Sequence, residues 1–182
     1  PHGIELSEDY AQRCRSRWGG SGDVYRGLLS TADYAPRSFQ YITAFETLEH
    51  ILDPIEALAK FHGWLADDGI VAFSVPSSDY FHFKFWLLRR SPVAVPLQRA
   101  MSRRSAFYVS QVLPHTHVYS FSAQSARAML TQAGFNPVHV GTTGWHGPIG
   151  KAFKPIAALL HAVSGERVSL APSIIAVGRK SR

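Results

Sequence analysis

Short apolar runs of strand length alternate along this chain with stretches whose apolar residues recur every third or fourth position. Ile4-Glu5-Leu6 reads as a strand end, and Ser7 as the cap of a helix with Glu8 and Asp9 in its first turn. Ala11, Cys14 and Trp18 form that helix's apolar face, and Gly19-Gly20 stops it. Val24 to Leu28 is a short strand, "STADYAPRS" a polar loop, and Phe39 to Phe45 a mostly apolar strand of the kind buried on both faces. Asp53-Pro54-Ile55-Glu56 opens a helix with Asp as cap and Pro at the first position. Ile55, Leu58, Phe61 and Leu65 make its buried stripe, and Gly69 ends it. Ile70 to Val75 is a buried strand broken by Pro76, followed by a long irregular stretch from 77 to about 119. Ser122 caps a helix that turns Ala126, Met129, Leu130 and Ala133 inward and closes at Gly134. Pro137 to Val140 is a strand, 151–163 an apolar helix, and Ser173 to Val177 the last strand.

Strands alternating with helices predict an α/β fold: a mostly parallel sheet with helices on both faces. In such sheets ligands bind beyond the carboxyl ends of the strands. Glu5, residues 45–50 and Pro76-Ser77 all fall at that edge. The 45–50 stretch, "FETLEH", follows the apolar Tyr41-Ile42-Thr43-Ala44. If the backbone turns helical after Phe45, Glu46, Glu49 and His50 lie at i, i+3 and i+4 on one face. Three polar side chains converging at a strand's carboxyl end make a candidate site.

At 182 residues and 46% hydrophobic, the chain has enough apolar material for one core, so residues 1–182 are expected to form one domain. No apolar run approaches the roughly 18 residues of a membrane span. The single cysteine, Cys14, precludes an internal disulfide and favours a reducing, cytoplasmic setting. The net charge of +6 permits anionic partners without requiring them.

Three stretches carry a family resemblance: "GIELSEDYAQRCRSRWG", "FQYITAFETLEHILDPIEALAKFHGWLADDGIVAFSVPS" and "HTHVYSFSAQSARAMLTQAGF". Together they resemble the class I S-adenosylmethionine-dependent methyltransferases. The resemblance implies a Rossmann-like sheet whose last strand runs antiparallel. It gives Glu5 the role of accepting hydrogen bonds from the cofactor's ribose hydroxyls, a task suited to a carboxylate. It puts Leu28, within Gly27-Leu28-Leu29, where the family often has an acidic residue near the adenine. Ala44, Phe45 and Glu46 would line the cofactor's methionine end. The family's first strand and Gly-rich turn precede the Glu5 position, whereas only four residues precede Glu5 here. The expectation is therefore an amino-terminally incomplete record of a methyltransferase domain.

Glu46, Glu49 and His50, as Glu-x-x-Glu-His, resemble the motif of small-RNA 2′-O-methyltransferases and ubiquinone-biosynthesis O-methyltransferases. There it implies a metal site for Mg²⁺ or Mn²⁺ completed by a loop histidine, a position that fits His117, with His115 as second choice. The alternative is a metal-free acceptor pocket lined by Glu46 and His50, and His50 and Glu49 are the candidate catalytic residues. Residues 79–113 carry six basic residues against Asp79 alone, interleaved with Tyr80, Phe81, Phe83, Phe85 and Trp86. As a cap insertion, this segment suits a small-molecule or lipid-like acceptor, or peripheral contact with the anionic inner membrane surface. Nucleic acid ranks lower, because no RNA-binding module is evident. The expected activity is O-methylation of a hydroxyl. The alternatives are metal-free transfer to a glycan or other metabolite, and a non-catalytic remnant binding a partner through its basic insert.

Overall fold

A computed structural model of the chain describes residues 1–90, 118–143 and 147–181. Within them β1 (His2–Glu5), α1 (Glu8–Trp18) and β2 (Asp23–Arg26) form a small parallel unit. Then come β3 (Phe39–Phe45), a 3₁₀ turn (Leu48–His50), α2 (Pro54–Trp64), β4 (Leu65–Pro76) and α3 (Ser78–Arg90). The chain closes with α4 (Ala123–Gln132), β5 (Phe135–Thr143), α5 (Gly147–Val163) and β6 (Ser173–Lys180). The Rossmann-like methyltransferase fold read from the sequence is the fold observed. Four strands form one sheet in the order β3-β4-β6-β5, with β3 and β4 parallel and β6 antiparallel to both its neighbours.

The local signals act as the sequence requires. Asp53 caps α2 through its carboxylate, which accepts from the Ile55 and Glu56 N–H groups at 3.1 and 2.8 Å, and Pro54 opens the helix. Ser122 and Ser125 form a reciprocal capping box on α4. Ser7 holds the cap position of α1, yet its hydroxyl makes no capping bond. Two boundaries differ from the sequence reading. The apolar stripe assigned to α2 as far as Leu65 breaks at Trp64, and Leu65 starts β4 instead, fully buried. The stretch after Pro76 is not irregular at its start, because α3 begins at Ser78. The remainder of the 79–113 insert, from 91 onward, lies outside the described residues.

The core lies between the main sheet and helices α2 and α4. Leu58, Phe61 and Trp64 from α2 and Ala126, Met129 and Leu130 from α4 cover Val71, Phe73 and Val75 of β4 and Ile174 and Ala176 of β6. Gly134 joins α4 to β5 at φ 86°, a left-handed conformation suited to glycine. A Cβ there would also stand 3.2 Å from the His62 ring. That ring packs edge-on against Phe135 and its Nε2 is buried, so His62 is a core residue. Lys180 is buried too, with its ammonium donating to the Leu65 carbonyl at 2.7 Å.

The small sheet joins the core through Ile4, Tyr25 and Tyr34. The starts of β1 and β3 meet at a ring cluster of His2, Tyr34 and Phe39, and the Tyr34 hydroxyl donates to the Gly3 carbonyl at 3.2 Å. Beyond that cluster β1 and β3 do not pair, and among the described residues each has one side without a strand partner. β3 therefore has the sequence of a central strand in an edge position, with Tyr41 and Phe45 exposed. Its backbone should show this directly. In the chain of residues 1–182, alternate amides of Tyr41–Phe45 should exchange with solvent deuterium far faster than those of Val71–Val75 in β4. Uniform protection across β3 would mean that its outer edge is paired.

Candidate functional site

The candidate site begins where β3 stops. Glu46 has φ 47°, the left-handed region that non-glycine residues seldom adopt. Ser74 of β4 holds it there. The Glu46 N–H donates to the Ser74 carbonyl at 3.0 Å and approaches its Oγ at 3.2 Å, while the Ser74 hydroxyl donates to Glu46 Oε1 at 2.8 Å. This reversal corrects the continuous helix expected after Phe45. Only Leu48–His50 turns, as a single 3₁₀ turn, and Glu46 stands outside it with its carboxylate engaged by β4. A sequence reader could have noticed that Ser74 is the one polar residue in Ile70–Val75.

The turn then divides its side chains. Leu48 goes into the core, Glu49 is 0% exposed, and the His50 side chain is 45% exposed. The Val118 and Tyr119 N–H groups donate to the Glu49 carbonyl at 2.9 and 3.4 Å, and the Tyr119 hydroxyl donates to the Leu52 carbonyl at 2.8 Å. These bonds clamp the turn from outside.

Both Glu49 carboxylate oxygens are buried and make no hydrogen bond among the described residues. Oε1 lies 3.8 Å from His50 Nε2, beyond hydrogen-bond reach but close enough for strong charge coupling. Burial pushes the Glu49 carboxyl up from its ordinary 4.5 to about 7; its own backbone N–H opposes the rise, the Glu46 carboxylate adds to it, and His50 opposes it least. A buried carboxyl poised near neutrality beside a half-exposed imidazole is suited to moving a proton.

The structure thus brings Glu49 and His50 together and leaves Glu46 facing Ser74. No group of three His, Cys, Asp or Glu side chains that could hold a metal ion occurs among the described residues. Glu46 Oε1 accepts from the Ser74 hydroxyl, so among the described residues Glu46 stands apart from Glu49 and His50. His115 and His117 lie outside the described residues.

The residues read as cofactor contacts are at strand ends. Glu5 closes β1; its Oε1 accepts from the Ser7 N–H at 2.8 Å, so one oxygen serves the start of α1. Leu28 follows β2 and is exposed, with its carbonyl accepting from the Thr31 and Ala32 N–H groups. Ala44 is buried and Phe45 exposed at the end of β3.

A family model described as "Methyltransferase domain" matches residues 5–140. No curated protein sequence matches the chain. Solved structures match it along nearly its whole length. One is an S-adenosylmethionine-dependent methyltransferase, a possible histamine N-methyltransferase, from Thermotoga maritima, at 17% identity and TM-score 0.62, covering 99% of this chain and 72% of its own. Another is a complex from Haloferax volcanii between the Trm112 methyltransferase activator and a putative methyltransferase, at 13% and 0.63, covering 100% and 72%. A third is 1,6-didemethyltoxoflavin-N1-methyltransferase from Burkholderia thailandensis with 1,6-didemethyltoxoflavin and S-adenosylhomocysteine bound, at 17% and 0.59, covering 100% and 61%. At these identities the likeness is one of fold.

The buried Glu49 should also be visible in stability. Its folded pKa of about 7 lies above its unfolded value, so the folded state holds the proton more tightly. Its contribution is complete below pH about 4.5 and is lost as pH rises through 7. His62 acts with the opposite sign: burial, then the nearby Lys180 charge, lower its pKa, so its contribution is lost as pH falls. Comparing wild type with Glu49→Gln cancels His62. Denaturant titrations at pH 5 and pH 8 should show wild type losing about 2–3 kcal/mol more than the variant over that interval. Equal losses would mean that Glu49 ionises at its ordinary value.

Proposed function

We propose that this chain, which belongs to the methyltransferase-domain family through residues 5–140, is an S-adenosylmethionine-dependent enzyme that methylates a hydroxyl on a small or lipid-like acceptor. The observation that carries the reading is the pair Glu49 and His50, a fully buried carboxylate 3.8 Å behind a half-exposed imidazole at the carboxyl end of β3.

S-adenosylmethionine supplies an electrophilic methyl group on a sulfonium. His50, on the accessible side of the pair, is the base: it takes the acceptor's hydroxyl proton as the new carbon–oxygen bond forms and the carbon–sulfur bond breaks. Glu49 does not reach the acceptor. Its ionised form stabilises the imidazolium from behind, so it is a positioning residue. Glu46, fixed by Ser74, keeps its carboxylate beside Ala44 and Phe45, where the family resemblance puts the cofactor's methionine end. Glu5 retains one oxygen for ribose hydroxyls, and Leu28 offers an apolar contact for the adenine. On this reading no step passes through a metal ion.

The test is formation of S-adenosylhomocysteine with a panel of phenolic, sugar and lipid hydroxyl acceptors. His50→Ala should lower kcat/KM about 10²–10⁴-fold. The wild-type profile should rise with pH through an ionisation near 7 that Glu49→Gln removes. Activity of His50→Ala within a few-fold of wild type would overturn the assignment. Chelation with EDTA should leave turnover unchanged. Collapse on chelation with recovery in Mg²⁺ or Mn²⁺ would restore the cation reading and require Glu46 to leave Ser74.

A further inference from the structure

α5 is packed on one side only. Ala157 and His161 are buried, and both imidazole nitrogens are within hydrogen-bond distance of carbonyls, Val168 at 2.9 Å and Val140 at 3.2 Å. Away from them, Ile156, Leu159, Leu160 and Val163 follow i, i+3, i+4, i+7 spacing, the pattern of a single helix face. In a water-soluble surface helix that stripe would face the core. Here it faces outward, with Leu159 63% and Val163 72% exposed. The helix contains no acidic residue.

α3 leaves the same sheet edge and has a related surface. Phe83, Phe85 and Trp86 are exposed, and the Phe83 and Trp86 rings stack. The Arg90 guanidinium lies over Trp86, and an open groove runs between His82, Phe85, Trp86, Arg89 and Arg90. Its one acid, Asp79, is turned inward and accepts from the Ser169 N–H at 2.8 Å. With the Ser77 hydroxyl donating to the Ser169 carbonyl at 2.7 Å and the Ser77 N–H to Pro172 at 2.9 Å, this ties the start of α3 to the chain just beyond α5. The start of α3 and the chain that follows α5 thus share one anchored point.

We infer that α5 and α3 form a docking face for an anionic lipid bilayer, the aliphatic stripe of α5 entering the headgroup region and the aromatic residues and arginines of α3 resting at the interface. An apolar face flanked by aromatic and basic side chains is the composition that interfacial helices use. None of the described helices is long and apolar enough to cross a membrane, so the contact is peripheral. A second copy is a poorer occupant. A two-fold contact would set this face against itself, bringing Arg89 and Arg90 toward like charges with no acid in either helix free to meet them. The inference does not rest on the hydroxyl-acceptor reading, which it would survive or outlast independently.

The test is flotation of the full chain with vesicles of 30% phosphatidylglycerol in phosphatidylcholine, against phosphatidylcholine alone. Wild type should float with the anionic vesicles only, and less so as salt rises. Leu159→Asp with Val163→Asp should reduce binding at least tenfold, as should Arg89→Glu with Arg90→Glu. Leu159→Ala with Val163→Ala should give an intermediate loss, with circular dichroism matching wild type throughout. These residues are outside the catalytic pair, so turnover of a soluble acceptor should be unchanged, and a failure of docking is thereby separated from a failure of catalysis. Wild type that ignores anionic vesicles, or α5 variants that bind as wild type does, would overturn the proposal. A dimer that dissociates in Leu159→Asp with Val163→Asp, without vesicle binding by wild type, would do so in favour of a second copy.

Discussion

The contact between Ser74 and Glu46 fixes the working edge of this molecule. β4 is saturated on both sides, parallel to β3 and antiparallel to β6, so Ser74 cannot shift without breaking two ladders. Glu46 is held in a left-handed conformation against that immobile partner. Such a conformation costs of order 1–3 kcal/mol and persists only where its surroundings over-determine it. What it achieves is direction. A chain continuing helically from Phe45 would keep Glu46, Glu49 and His50 on one face, whereas the reversal at Glu46 commits the first carboxylate to the sheet and leaves the turn to aim the other two. The asymmetry between Glu49 and His50, one buried and one accessible, follows from that single backbone choice.

Much of the fold was legible because it rests on local chemistry. Asp53-Pro54, Ser122 and Gly134 mark helix ends by mechanisms that operate within a few residues, and each is where the sequence put it. The apolar runs 39–45, 70–75 and 173–177 are strands for the same reason. The site was legible as a location and misread as a geometry. That Glu46, Glu49 and His50 belong to a strand's carboxyl end follows from the order of elements. That Glu46 faces Ser74 does not, because the bond spans 28 positions and depends on the register between β3 and β4. The aliphatic stripe of α5 shows the complementary failure. Its periodicity announces an amphipathic helix, and periodicity alone assigns the apolar face to a core, but among the described side chains of α5 only Ala157 and His161 are buried.

Family membership fixes the class of reaction and little about the acceptor. The matched structures share between 13% and 17% of their residues with this chain, and the names they carry include two N-methyltransferase descriptions. A sheet edge that presents an electrophilic methyl can serve many nucleophiles. What distinguishes one acceptor from another is the group that accepts the proton and the surface that delivers the substrate. On the reading proposed above, both would lie outside the main sheet, in the turn after β3 and in the helices after β4 and β5.

Those two regions are mechanically joined. Ser74 carries the site, and Ser77, three residues farther along the same chain, carries the polar staple that anchors α3 beside the end of α5. An extended segment of that length spans about 10 Å, and β4 is paired on both sides. The distance between the reacting groups and the outward faces of α3 and α5 is therefore set by a strand that does not bend, not by the connecting loops. A surface held by those helices would stand at a fixed height relative to His50. An amphiphilic acceptor drawn from that surface needs its hydroxyl to project only far enough to meet an imidazole that is half exposed, while the carboxylate that stabilises the charged imidazole stays buried behind it.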